Sequence, residues 1–442
     1  MNIKLSDRFS YKKLLRFTMP SVIMMVFTSI YGVIDGFFVS NIVGKTSFAA
    51  VNFIMPFLMM LGAIGFMFGT GGGALIGRTL GEGKKEKANR LFSLFVYVTL
   101  LLSACIATFS IWKLPEIAAV LGAEGALLSD CVAYGRVILI ALPFFTLHFE
   151  FETFFVTAEK PQFGLWVAVV SGVTNIMLDY LFMAVFGWGI RGAALATACS
   201  QILSGAIPLI YFAQNNTSLL KLGKTCFDGK ALVKACTNGS SELMSNISMS
   251  LVAMLYNMQL LKYAGENGVA AYGVLMYVNF VFLSVFIGYS VGSAPVISFH
   301  FGAKHPDELK SLRKKSCVII SILSLTMLAI SLLLATPLSK MFVGYDQQLL
   351  DMTRHGFYIF SFSFLFAGFA IFGSGFFTAL NDGLTSALIS FLRTVVFEVA
   401  TVLLLPLWLG LDGIWVSVVV AEAVAAAFTL MFFKLKQKKF QY

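Results

Sequence analysis

Six carboxylates and one guanidinium, Asp35, Glu150, Glu152, Asp179, Glu398, Glu422 and Arg393, stand inside otherwise apolar stretches of the 442-residue chain. An ionised side chain in the middle of a membrane-crossing helix costs at least about 2.5–3.5 kcal/mol on insertion scales, so each needs a partner, a wet cavity or a function. With a rise of about 1.5 Å per residue, Asp35 falls roughly 12 Å below the outer end of the first stretch, Asp179 roughly 10 Å below that of the fifth, and Thr197 roughly 9 Å down the sixth. Asn175, four residues before Asp179, shares its helix face. Two carboxylates, an amide oxygen and a hydroxyl at one depth offer hard oxygen ligands to Na⁺, or hold one shared proton between paired carboxylates. The plainer alternative is a hydrogen-bond network that only locks helices together.

The remaining acids read differently. Glu398 and Glu422 lie roughly 15 Å deep, and Arg393 shares a stretch with Glu398. Either an internal Arg–Glu pair forms, or the carboxylates line a cavity that attracts cations. Glu150 and Glu152 are two residues apart and so on different helix faces, and His148 is four before Glu152, within pairing range. Glu242 is expected at the inner interface. Pro20, Gly32 and Gly36 either let the first helix bend or let a neighbour approach closely.

Such residues require helices in lipid to position them. The chain is 58% hydrophobic and 12% charged, against roughly 45–50% and about 25% in soluble domains, and its mean hydropathy is +0.85. Twelve stretches of spanning length are expected near 14–43, 47–77, 91–111, 133–157, 163–186, 191–213, 237–263, 268–299, 316–336, 354–378, 384–408 and 412–434. The first is too long for a signal peptide and lacks a small-residue cleavage site, so it is expected to remain as a helix. The N-terminal segment and alternate loops carry 24 of the 32 Lys and Arg, the opposite loops carry 7, and Arg393 is within a stretch. The positive-inside rule therefore places both termini in the cytoplasm. Trp112, Trp188, Trp408 and Trp415 fall at the expected outer ends, as an interfacial aromatic belt requires. Topology accounts for the net charge of +10, and no nucleic-acid partner is needed. Six cysteines without C-x-x-C spacing read as packing residues.

The chain also repeats. At an offset of 221, Ala49, Ala50 and Met55 meet Ala270, Ala271 and Met276; Gly44 meets Gly265; Gly81 meets Gly302; Thr157 and Ala158 meet Thr378 and Ala379; Gly189 and Gly192 meet Gly410 and Gly413. Six crossings per half make these parallel repeats about an axis along the membrane normal. The expected organisation is an N-terminal lobe over 1–213, a cytoplasmic linker over 214–236 and a C-terminal lobe over 237–442. In this register Glu422 stands opposite Gln201 and Tyr256 opposite Asp35, so any coupling site is asymmetric. Glu398, Glu422, Glu152, Gln201 and Tyr256 are the candidates for a substrate cavity.

MPSVIMMVFTSIYGVIDGFFVSNIVG from Met19 to Gly44, GALIGRTLGEG from Gly73 to Gly83, TNIMLDYLFMAVFGWGIRGAALAT from Thr174 to Thr197 and VAAYGVLMYVNF from Val269 to Phe280 resemble the multidrug and toxic compound extrusion (MATE) transporters, in particular the MepA-like bacterial branch. The resemblance covers nearly the whole chain. It implies an all-α, V-shaped, two-lobed protein of twelve transmembrane helices. It also implies a proton- or sodium-coupled antiporter that exports small organic cations and drugs from the bacterial cytoplasm by alternating access. No cofactor beyond the coupling ion, no enzyme activity and a monomer are expected. The family's ion site falls on Asp35, Asn175, Asp179 and Thr197, with Na⁺ as the metal it would take. Carboxylates that some members carry on spans 7 and 10 are not matched, because 354–378 has none and Glu242 is expected too near the cytoplasm to serve on span 7. The nearest rival is a flippase for a lipid-linked intermediate, which would want several deep cations where this chain has Arg393. Enzyme motifs such as H-E-x-x-H are absent, and the acids do not form the ring of a channel.

Overall fold

The computed structural model describes residues 3–43 and 45–442; Gly44, one member of the repeat register, lies outside them. The described chain is helical throughout, with no strand. The helices are α1 (Tyr11–Phe38), α2 (Lys45–Gly81), α3 (Lys85–Val120), α4 (Gly125–Thr157), α5 (Pro161–Asp179), α6 (Gly189–Ala213), α7 (Gly229–Gly302), α8 (Pro306–Val343), α9 (Gln347–Ser361), α10 (Phe364–Ala379), α11 (Gly383–Phe391), α12 (Glu398–Leu404), α13 (Pro406–Leu409) and α14 (Leu411–Phe440). Three π-helical segments interrupt them, at Val39–Val43, Tyr180–Val185 and Leu392–Phe397.

Among the described residues ten helices are long and apolar enough to cross a membrane, and α9 with α10 forms a further span bent by 51°. The twelfth is hidden in α7, whose 74 residues are broken at Gly265 (φ 63°, ψ −154°). Straight, such a helix would run about 110 Å. Instead both of its ends pack on α2, with Ala235 against Gly71 and Phe299 against Gly81. The rings of Tyr256 and Tyr272, on either side of the break, stack at 5.1 Å. The chain therefore reverses at Gly265, a conformation that glycine adopts without steric cost.

The two halves meet around a local two-fold axis. A Cβ on Gly81 would stand 2.0 Å from the Phe299 carbonyl oxygen, and one on Gly302 2.0 Å from that of Arg78. Residues 78 and 299 are themselves 221 apart, so the two contacts are copies of each other. Gly77 faces Ser298, its own register mate, with a Cβ position 2.1 Å from Oγ, which puts the axis between them. Gly71 against Ala235 and Gly239 against Met67 extend this backbone-to-backbone packing. Farther along the helices, Gly32 and Gly273 have nothing within 4 Å of a Cβ position. Close packing is thus not the reason for Gly32.

Both termini lie at this tightly packed end. The Leu5 N–H donates to Glu159 of the first half at 2.5 Å, and the Phe9 N–H donates to Glu308 of the second at 2.9 Å. Lys315 adds its ammonium to the Phe9 carbonyl. The N-terminal segment therefore straps the halves together. The C-terminal Tyr442 is buried against Phe376 and Phe433, under the Arg313 guanidinium. Of the belt residues, Trp112, Trp188 and Trp408 are exposed, but Trp415 is buried with its ring on Gly356. Packing between α9 and α14, not an interface with lipid, fixes that indole.

Candidate functional site

Asp35 lies four residues before α1 gives way to its π segment, and the Val39 N–H reaches both the Asp35 and Gly36 carbonyls. Asp179 is the last residue of α5, immediately before the second π segment. A π turn admits one extra residue and re-aims the side chains beside it, which is why such bulges gather at functional sites. Here two of them flank the two acids.

The Asp35 and Asp179 carboxyls face each other closely enough to share a proton. Without one they are two acceptors with no donor between them. Among the described residues, Oδ1 of Asp35, both oxygens of Asp179, both polar atoms of Asn175 and Oγ1 of Thr197 are buried with no hydrogen-bond partner. Among the described residues no Lys or Arg faces the pair. The structure thus brings all four residues of the sequence cluster into one apolar setting and leaves them unsatisfied. A fifth group joins them that the sequence did not single out. Tyr134 of α4, fully buried, points its hydroxyl at Thr197, short of hydrogen-bonding geometry, and lies within electrostatic reach of both aspartates.

A second set lies deeper in the same half. Every residue from 145 to 157 of α4 is buried, so Glu150 and Glu152 are both enclosed although they face different ways. Glu150 points towards Thr99 of α3, and neither of its oxygens has a hydrogen bond. His148 Nε2 stands 3.5 Å from Glu152 Oε1. Tyr31 of α1 lies beside Gln201 of α6, within electrostatic reach of both Glu152 and Asp35. Glu152 and His148 border a void of about 10 Å³, which is too small for an organic cation.

The second half solves the same problem by pairing. Arg393, inside the third π segment, donates from Nε to both Glu422 oxygens at 3.0 and 2.9 Å and from Nη2 to Oε1 at 2.6 Å. Of the two sequence alternatives for these residues, the internal pair forms, and it forms with Glu422. Glu398 is half-buried beside it, within electrostatic reach of Arg393, Glu422, Tyr256 and Tyr272. The Tyr256 hydroxyl is 2.8 Å from Ser417 Oγ. Glu242 also faces Arg393. It was expected at the interface, but α7 begins at Gly229, which lifts Glu242 about 20 Å up the helix. Among the described residues no three His, Cys, Asp or Glu converge as a transition-metal site, and all six cysteines are unpaired.

The MatE family's sequence model matches the chain twice, over residues 20–181 and 243–404. The chain is 27% identical over 425 residues to the multidrug export protein MepA of Staphylococcus haemolyticus, covering 96% of this chain and 92% of that one. It is 24% identical over 420 residues to MepA of Staphylococcus aureus, with 94% and 92% covered. A solved structure described as the outward-facing conformation of a multidrug resistance MATE family transporter of the MOP superfamily superposes with a TM-score of 0.93. That structure is 21% identical, with 98% of this chain and 97% of the other covered.

Proposed function

The chain belongs to the MatE family, and from that premise we propose that it is a secondary transporter exporting organic cations in exchange for a monovalent cation, H⁺ or Na⁺. The observation that carries the coupling is the facing Asp35 and Asp179 pair, in which Asp35 Oδ1 and both Asp179 oxygens are buried without a hydrogen bond. Two unsatisfied carboxylates in low dielectric are costly, and a proton or a bare monovalent ion with oxygen ligands removes that cost. Asn175 and Thr197 supply the neutral oxygens, and Tyr134 closes the site. Ion binding there biases the π-interrupted end of α1, which gives a transported ion purchase on one spanning helix.

For the substrate we assign the half-buried Glu398 and the nearby Tyr256 and Tyr272, a carboxylate with aromatic neighbours that suits an organic cation. Glu422 supports this site by neutralising Arg393. The lysine-rich end, where the termini lie, is taken as cytoplasmic in a bacterial membrane. The glycine packing that closes that end supports a cycle of alternating access in which this state is closed to the cytoplasm. A flippase for lipid-linked pyrophosphates is disfavoured because the Arg393 guanidinium is already taken by Glu422.

Reconstitution in vesicles tests the reading. Ethidium export should follow an imposed H⁺ or Na⁺ gradient, each applied alone. Asp35→Asn and Asp179→Asn should each abolish the gradient-driven component. Undiminished driven export in both variants would remove the pair from the coupling site.

A further inference from the structure

Glu152 and His148 belong neither to the proposed ion cluster nor to the substrate site, yet they are among the most enclosed ionisable groups of the first half. Glu152 is 4% and His148 5% exposed, and neither the two carboxylate oxygens nor the imidazole Nε2 has a hydrogen bond. Between them and α1, α5 and α6 lies the void of about 10 Å³, bordered by Met24, Gly164, Ala168 and Ser204, which is room for about one water molecule. Of its lining residues His148, Glu152 and Ser204 carry polar side chains, and both Glu152 oxygens and His148 Nε2 are without a hydrogen bond.

The groups facing Glu152 can be named helix by helix. Its own helix gives His148 at 3.5 Å, while Glu150 looks away towards α3. From α1 comes the Tyr31 hydroxyl, and from α6 the Gln201 amide beside it and the Ser204 hydroxyl. From α5 come only Gly164, Val167 and Ala168. No Lys or Arg contributes. Among the described residues, an ionised Glu152 would have His148 alone as a group able to carry a countercharge.

Tyr31 makes the location informative. It stands one helical turn from Asp35 and reaches electrostatically to both Asp35 and Glu152. Glu152 in turn is five residues, about 7.5 Å, from the end of α4 that faces the closed side. The polar groups therefore descend in steps from the aspartate pair to the closed end, within one half of the molecule.

We propose that Glu152, with His148 and one water, is a second proton-binding site that carries protons between the Asp35–Asp179 cluster and the closed end of the first half. A proton leaving the aspartate pair passes by way of the Tyr31 hydroxyl, which gives up its own proton as it accepts one. Glu152 goes from carboxylate to carboxylic acid. It returns to carboxylate when the proton moves on through the water and His148, so each group ends as it began. Gln201 cannot carry the proton and serves to orient Tyr31.

The proposal rests on ion-coupled export only for its transport arm. The other arm is infrared difference spectroscopy of the full chain in lipid nanodiscs during a pH titration. A protonated-carboxyl stretch that survives in the Asp35→Asn/Asp179→Asn double variant should vanish in Glu152→Gln. In vesicles, Glu152→Gln should keep ethidium affinity within about twofold while proton-driven export falls at least about tenfold and its pH optimum moves. Tyr31→Phe should slow driven export without removing the infrared band. The proposal is overturned if no band is lost in Glu152→Gln, or if ethidium affinity drops tenfold with an unchanged pH profile, which would make Glu152 a substrate ligand. Should the wild type export nothing under either gradient, the transport reading fails by itself and the infrared band still decides the site.

Discussion

The two halves share a fold and a register, yet they treat buried charge in opposite ways. The first holds facing aspartates, an amide and two hydroxyls with, among the described residues, no cation beside them and their buried polar atoms left without hydrogen bonds. The second holds a guanidinium with three bonds to one carboxylate and two more carboxylates in reach. At the register position of Asp35 the second half has Tyr256, whose hydroxyl is satisfied by Ser417. Position 422, which carries the ion-paired Glu422, matches Gln201, an uncharged amide. A satisfied network favours one arrangement, whereas an unsatisfied one is completed only by something that arrives. Under the proposed function the difference divides the labour: the first half would respond to an ion, and the second would provide a pre-set electrostatic wall.

Removing one partner of a buried ion pair gives the largest effect on this contrast. Glu422→Gln leaves Arg393 uncompensated and should lower stability by about 3–5 kcal/mol, nearer the low end if Glu398 or Glu242 swings over to it. Thermal unfolding in detergent reads the loss. The double variant Arg393→Met/Glu422→Leu should recover most of it, since replacing a whole buried pair by apolar groups is often neutral or better. If the single variant melts with the wild type, the second half is not held by its pair and the contrast between halves collapses.

The same measurement should change sign in the first half. Asp179→Asn places an amide donor opposite the Asp35 carboxylate where there were two acceptors. Relief of an unsatisfied buried group is worth about 1–3 kcal/mol. Asp179→Asn should therefore melt higher than the wild type although it no longer couples export to a gradient. A lower melting point would mean that the acids are already satisfied in the resting protein.

Much of this contrast is legible in the sequence, for reasons that differ by residue. Charged types are so rare in the apolar stretches that Asp35, Asp179, Arg393 and Glu422 stand out, and the helical rise alone places Asp35, Asp179 and Thr197 at one depth. The 221-residue offset marks Gly81 and Gly302 as equivalent positions, though not what each of them packs against. The π segments are not legible, because no local residue pattern distinguishes an extra residue in a turn from a regular helix. The partner of Arg393 is not legible either, since side-chain direction across helices decides it. Glu242 was misplaced because α7 begins eight residues before the apolar stretch does, within lysine-bearing sequence. Trp415 was misplaced because a tryptophan near a helix end looks the same whether it meets lipid or a glycine on the next helix.

Tyr134 tests the contrast most finely, because it is one of 14 tyrosines and carries no charge to mark it. Its hydroxyl is buried, unbonded and directed at Thr197. If the first-half cluster were only a packing network, Tyr134→Phe would remove an unsatisfied group and leave function alone. If the cluster receives an ion, the hydroxyl contributes to it only in the ion-bound state. Stability of the ion-free protein should then change by no more than about 1 kcal/mol, in the favourable direction. The half-saturating H⁺ or Na⁺ concentration for ethidium export should meanwhile rise about ten- to a hundredfold, in keeping with the loss of one hydrogen bond to a charged site. The two readouts move independently: a shift in ion affinity without a fall in melting temperature ties Tyr134 to the ion, whereas equal losses in both would return it to the packing of α4 against α6.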